Sequence, residues 1–287
     1  MPSDGSFLGA LRRPRSLTAV ELRPPRSGLT RGGAMDIWID LSNSIRRLAA
    51  LDAPLFLTDS AVGEEEEENL QHLAANLAGE IDPRRIVPFL TCKHTLEYCL
   101  VYAERARARG LEALTVVGGD PGGPPRCLPH AYLLRAEIRG RAPDLDLGGW
   151  VNPHGDPDAQ GDFVAAPDFG ADYLLTQVVS HHDTARVESW LRAADDRGID
   201  LPMVFGVFYY RSGRREALGR LSEFFPVPVD GAAAEFEAGA TPAEHCARSI
   251  VALRGLGVKN VYVCNLGARD GGRRFEQVMR EVDRLAD

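Results

Sequence analysis

Glu21, Asp120 and the run His181-His182-Asp183 are the positions where residue type and setting could do chemistry. Glu21 ends a mostly apolar run in Val20-Glu21-Leu22-Arg23-Pro24-Pro25-Arg26. A carboxyl group there is partly desolvated. That disfavours its charged form, raises its pKa and suits it to donate a proton near neutral pH. The competing reading is a structural ion pair with Arg23 or Arg26. Asp120 follows two glycines in Gly118-Gly119-Asp120-Pro121, where a flat ligand can approach the backbone and a carboxylate can accept from an amidine-like edge. The alternative there is an Asp-Pro turn. Gln177 closes Tyr173-Leu174-Leu175-Thr176-Gln177, and an amide beside such a run needs a partner. Thr58, Asp59 and Ser60 follow one apolar run, and Thr91, Cys92, Lys93 and His94 another. Small hydroxyl residues in such places more often cap the next helix than touch a ligand. His181-His182-Asp183 has the residue types of a metal centre. Adjacent histidines are not expected to face one ion, however, and no third ligand stands in register, so no metal site is expected. The acidic run Glu64–Glu68 is expected to complement a helix dipole and face solvent.

These residues need a frame. Short, nearly continuous apolar runs recur over Leu17–Leu22, Pro54–Asp59, Ile86–Cys92, Ala113–Val117, Leu145–Asn152, Tyr173–Val178, Met203–Phe208 and Asn260–Leu266. Such runs fit parallel strands buried on both faces. Between them Leu96–Arg109, Thr184–Arg197, Ala243–Leu256 and Arg273–Leu285 carry the period of amphipathic helices. Thr241-Pro242 with Glu244 supplies an N-cap, a proline at the first helical position and a capping carboxylate. Gly110, Gly198 and Gly257 each end a helix just before a strand. About eight βα units in one α/β chain predict a single closed (β/α)8 barrel of the TIM type. An open doubly wound sheet is the alternative, but the glycine fingerprint of a dinucleotide fold is missing. Residues 16–287 are assigned to the barrel, and 1–15 to a basic N-terminal lead-in without the apolar stretch of a signal peptide. In a barrel the chemistry sits on the loops after the strands, where every candidate above falls.

Composition narrows the partners. A net charge of −8 over 287 residues argues against a nucleic-acid backbone as the main ligand. No apolar run is long enough to span a membrane. Five dispersed cysteines, with no C-x-x-C pair, favour reduced thiols, and a cytoplasmic location is expected.

In series, the motifs Val20–Arg26, Phe89-Leu90-Thr91-Cys92, Gly118–Pro121, Gly170-Ala171-Asp172-Tyr173-Leu174-Leu175-Thr176-Gln177 and Gly198-Ile199-Asp200-Leu201-Pro202 resemble the methylenetetrahydrofolate reductase family in order and spacing. The similarity runs from about Ser16 to Arg269. It implies a (β/α)8 barrel of one-carbon metabolism and methionine biosynthesis that reduces 5,10-methylenetetrahydrofolate to 5-methyltetrahydrofolate. By position, it implies that Glu21 is the acid that helps open the methylene bridge. It likewise implies that Asp120 contacts the pterin, that Gln177 contacts folate and that Thr58 lies near the cofactor ring.

One segment departs from the family. Where flavin-using members carry Tyr-Pro-Glu-x-His-Pro-Glu-Ala, this chain reads Asn152-Pro153-His154-Gly155-Asp156-Pro157-Asp158-Ala159. The stretch that follows, Gln160–Phe169, has no Lys or Arg. A diphosphate-bearing flavin would lose its stacking partner and its cationic contacts, and Asp156, Asp158 and Asp162 would repel it. The arginine expected after the last strand is replaced by Gly267-Ala268. The chain is therefore similar to the divergent flavin-independent actinobacterial members. NADH or NADPH is expected to pass hydride directly to the folate, with the nicotinamide near Asn152, His154 and Asp156 and without FAD. Val207–Arg211, Arg214 and Arg215 are candidates for the folate glutamate or a nicotinamide phosphate, or else a solvated helix start. An FAD-dependent reductase, a catalytically inactive folate-binding barrel, and a metal-dependent lyase or aldolase using His181, His182 and Asp183 are the alternatives.

Overall fold

The structure, a computed structural model, describes residues 6–26, 28–58, 80–119 and 124–286. Eight strands close in sequence order into an all-parallel barrel: β1 Leu17–Leu22, β2 Leu55–Leu57, β3 Ile86–Thr91, β4 Ala113–Val117, β5 Asp146–Val151, β6 Tyr173–Val178, β7 Met203–Phe208 and β8 Asn260–Cys264. Four of them have the bounds that the apolar runs predict. β8 stops at Cys264 instead of Leu266 because Asn265 takes a left-handed backbone (φ 64°) and turns the chain out of the sheet. Among the described residues the helices are α1 Phe7–Arg12, α2 Arg31–Ala50, α3 Leu96–Ala108, α4 Ala131–Arg141, α5 Pro157–Ala165, α6 Thr184–Asp196, α7 Arg215–Ser222, α8 Val229–Glu237, α9 Pro242–Gly255 and α10 Gly271–Ala286. The predicted Thr241–Glu244 capping box is formed at α9. None of these helices is long and apolar enough to cross a membrane.

Inside the barrel, alternate residues point inward and build one aromatic-rich core of Phe56, Phe89, Tyr173 and Tyr262 with Ala19, Val87 and Leu175. Small residues on neighbouring strands make room for the two tyrosines. Gly148 pairs with Tyr173, and a Cβ at 148 would sit 2.5 Å from that ring. Gly206 pairs with Tyr262, and a Cβ there would sit 2.6 Å from the phenol oxygen. Each phenol is satisfied: Tyr173 and Thr115 share a 2.9 Å hydrogen bond, and Tyr262 donates to the Thr176 carbonyl at 2.9 Å.

The N-terminal end of the barrel is closed by α1, which lies within the lead-in. Phe7 packs edge-on against Phe56 and Tyr173 at 5.5 and 5.3 Å, and Asn260 at the start of β8 donates to the Leu11 carbonyl. The two clefts lined by Asp82 to Asp146 and by Leu191 to Asn260 also open at this end. In a barrel that is the face of stability, and the opposite mouth carries the chemistry.

Candidate functional site at the barrel mouth

Glu21 is the next inward position after Ala19 on β1, and it lies half-buried where the barrel opens. Its charge is felt by Tyr262 and Cys264 on β8, the strand hydrogen-bonded to β1. Burial raises its pKa to about 7, and the positive charge of Arg23 only partly opposes this. The carboxyl is thus poised between acid and base at neutral pH.

Thr58 follows β2, buried, and its backbone N–H donates to Leu22 at the end of β1. Gln177 is half-buried on β6, and its Oε1 accepts from the Val178 N–H at 2.9 Å. This leaves the amide NH₂ as the end available for a ligand. Asp120 lies outside the described residues, as do Asp59, Ser60 and Glu64–Glu68. Its flanks are described, and both carry cations. At Gly119 (φ 76°) an added Cβ would lie 2.7 Å from the Lys93 chain, and at Gly118 one would lie 3.0 Å from the Arg126 guanidinium. Arg126 donates to the Gly119 carbonyl and Lys93 to that of Pro124.

The mouth has an aromatic lining of Trp150, which sequence reading did not single out, and Phe208, which falls within the candidate anion segment Val207–Arg211. Trp150 is the inward residue after Gly148 on β5, half-buried and edge-on to Phe89 at 6.5 Å. Phe208, at the end of β7, stacks obliquely with Phe225 and Tyr210 at 4.8 and 4.9 Å. The one available signal was alternation: Asp146, Gly148 and Trp150 share a face, so Trp150 must point into whatever β5 encloses.

The segment after β5 is tied to itself. Asn152 accepts from the His154 N–H, His154 Nε2 lies 2.8 Å from the Val178 carbonyl, and Asp156 caps α5 through the Ala159 N–H. Arg197, which caps the end of α6, binds both Asp158 and Asp162, at 3.0 and 2.7 Å. No lysine or arginine lies on α5 itself. After β8, where Gly267-Ala268 replaces the expected arginine, the gap is filled from elsewhere. A Cβ at Gly267 would meet the guanidinium groups of Arg211 and Arg274 at 2.8 and 3.0 Å. Arg214 is exposed, and Arg215 pairs with Asp230 at 2.5 Å. These two form the solvated helix start that was the plainer expectation.

On the outer rim the structure overturns one sequence argument. His181 and His182 both reach Glu235 Oε1, at 2.5 and 2.9 Å. They can do so because they sit in a turn closed by Asp183 N–H to the Ser180 carbonyl, where successive side chains need not diverge as on a strand. Asp183 is not part of the group, since its Oδ2 accepts from Ser180 N–H and Oγ. The further members are Glu235 on α8 and His245 on α9. α8 was not predicted, and spacing gives no hint that it meets the loop after β6. Burial pushes the pKa values of both His181 and His245 down.

No family model matches this chain, and no curated protein matches it. Solved structures do. An uncharacterized protein from Clostridium thermocellum that binds two copies of 5-methyl-5,6,7,8-tetrahydrofolic acid superposes with a TM-score of 0.67 at 15% identity, over 96% of each chain. A mandelate oxidase variant with benzoyl-formic acid superposes with a TM-score of 0.53 at 15% identity, over 94% of this chain and 73% of that one. At such identities the likeness is one of fold.

Proposed function

We propose that this barrel binds a reduced folate at its mouth and reduces 5,10-methylenetetrahydrofolate to 5-methyltetrahydrofolate, with NADH or NADPH giving its hydride directly. The observation that carries the reading is Glu21: an inward carboxyl at the end of β1 whose pKa is raised to about 7. Folate binding by the Clostridium thermocellum structure of similar fold supports the substrate class.

In this reading protonated Glu21 delivers its proton to the bridge nitrogen that leaves the methylene carbon, and that nitrogen keeps the electron pair of the broken bond. The iminium that results accepts hydride and becomes the methyl group. The barrel's task is alignment and exclusion of water. Trp150 and Phe208 offer flat apolar faces for the pterin and the nicotinamide, Asp120 and the Gln177 NH₂ hydrogen-bond the folate, and Thr58 borders the ring. The loop fixed by Asn152, His154 and Asp156 takes the nicotinamide where related enzymes hold flavin. Arg211 and Arg274 receive an anionic group, the folate glutamate or a nucleotide phosphate.

The test is an anaerobic assay of the purified protein with 5,10-methylenetetrahydrofolate and NADH or NADPH, run without added flavin after its visible spectrum is recorded. The expected result is turnover by a colourless protein. Turnover only with added FAD would replace direct transfer by a flavin route. No turnover, with folate still bound, would leave a binding barrel in place of a reductase.

A further inference from the structure

The cluster on the outer rim lies apart from the groups proposed to handle folate and nicotinamide. We propose that His181, His182, Glu235 and His245 form a binding site for one transition-metal dication of the zinc class, which clamps the loop after β6 to α8 and α9.

Geometry is the first support. One ligand atom from each of the four residues lies within 4.8 Å of the others. Metal bonds of about 2.0–2.2 Å in a tetrahedron place ligand atoms roughly 3.3–3.6 Å apart. The closest pair, His181 Nε2 and Glu235 Oε1 at 2.5 Å, must open slightly and the widest must close, both within the range of side-chain rotation.

Hydrogen bonding is the second. His245 is 1% exposed, and neither ring nitrogen has a hydrogen-bond partner. A buried imidazole left so forfeits the bonds both nitrogens had in water. Ligation through one nitrogen removes the loss at that atom. His181 gives the same indication from the other direction. Its Nδ1 lies 2.9 Å from Ser249 Oγ, and that hydroxyl is directed at the His245 carbonyl at 3.4 Å. An Nδ1–H donated to that hydroxyl leaves the Nε2 lone pair for an ion shared with the Glu235 oxygen. A partner on the far ring nitrogen is the usual support of a metal-bound histidine.

The surroundings fit the same purpose. Arg248 holds the other Glu235 oxygen at 2.7 Å and fixes the carboxylate. Phe236 stacks on the His245 ring with a 12° tilt, and Tyr210 closes its edge at 5.3 Å. Gly231 leaves the space that the His182 ring needs, since a Cβ there would sit 2.6 Å from it. The His182 side chain is 28% exposed, so an ion has a way in. Three imidazoles and a single carboxylate select zinc, cobalt or nickel over calcium or magnesium, which want oxygen ligands. Tyr210 also touches Phe208 on the mouth wall, so the clamp braces the aromatic lining from behind.

The experiment uses the full chain without an affinity tag, stripped with a chelator and titrated with Zn²⁺ in a calorimeter and with Co²⁺ in a spectrophotometer. The expected result is one ion per chain, an intense tetrahedral Co²⁺ band in the visible, and a higher melting temperature with Zn²⁺. His245→Gln should weaken binding by roughly a hundredfold or more and abolish the band, and Ser249→Ala should weaken it about tenfold. Should His245→Gln fail to fold, the more exposed His182→Gln gives the same reading, with far-ultraviolet circular dichroism verifying the fold. No saturable binding by the parent chain, only the weak octahedral Co²⁺ spectrum, or unchanged affinity in a folded His182→Gln chain would overturn the proposal.

Discussion

Glu21 is at once the chemical asset of the mouth and a cost to the fold. Its pKa of about 7 exceeds the ordinary value of 4.5 because burial penalises the carboxylate. The sign follows from linkage. The folded protein holds this proton where the unfolded chain has released it, so stability from this group is complete below about pH 4.5 and is lost as pH rises through about 7. Glu21→Gln should therefore stabilise the protein at pH 8 relative to pH 5, by about 1–3 kcal/mol given the water that still reaches the mouth. A pair of urea titrations at the two pH values measures this. The same variant should lose roughly a hundredfold or more in kcat while still binding folate, and the fall in parent activity above about pH 7 should vanish with it. Retention of parent activity would remove Glu21 from the mechanism. Glu21 was legible in the sequence because a carboxyl group in an apolar strand end has few dull explanations. Trp150 was not, since an aromatic in a strand reads as core until closure shows it half-exposed. His245 was hidden similarly, on a helix whose apolar period is set by Cys246, Ile250 and Leu253.

At the scale of elements, buried parallel strands announce themselves as short apolar runs, so all eight were placed from sequence. What the runs miss is backbone conformation, as at Asn265, and short helices whose faces meet loops rather than sheet. α8 is one such helix, and it delivers Glu235 to the rim. α1 is another: six residues in a Pro- and Arg-rich stretch carry too little period to declare a helix. Its role is packing. Phe7 is 2% exposed between Phe56 and Tyr173 at the closed end. Phe7→Ala should cost about 3–5 kcal/mol of stability, read as a lower urea midpoint with an unchanged slope. Turnover at a temperature where the variant stays folded should match the parent. A large loss of kcat under those conditions would mean that the plug sets the geometry of the mouth.

The molecule as a whole is acidic, at −8, yet basic side chains gather around its open end. Lys93 and Arg126 border the loop after β4, and Arg211 and Arg274 converge beside Gly267 after β8. Burial and the neighbouring Arg274 both hold the Arg211 pKa below its usual value, and Asp270, which pairs with Arg274 at 3.3 Å, partly offsets this. An acidic body repels an anionic ligand from most of the surface, while the local field at the mouth attracts it. Because solvent ions screen such fields over about 10 Å at 0.1 M salt, the apparent affinity for the anionic substrate should fall as salt rises. Arg274→Ala should raise its KM by roughly tenfold with kcat nearly constant, because a contact to a remote anionic group binds ground and transition state alike. Steady-state kinetics at low and high salt separate the outcomes. If kcat falls and KM does not, Arg274 acts on the reacting atoms; if neither moves, the anion binds beside Lys93 and Arg126, on the other side of the mouth.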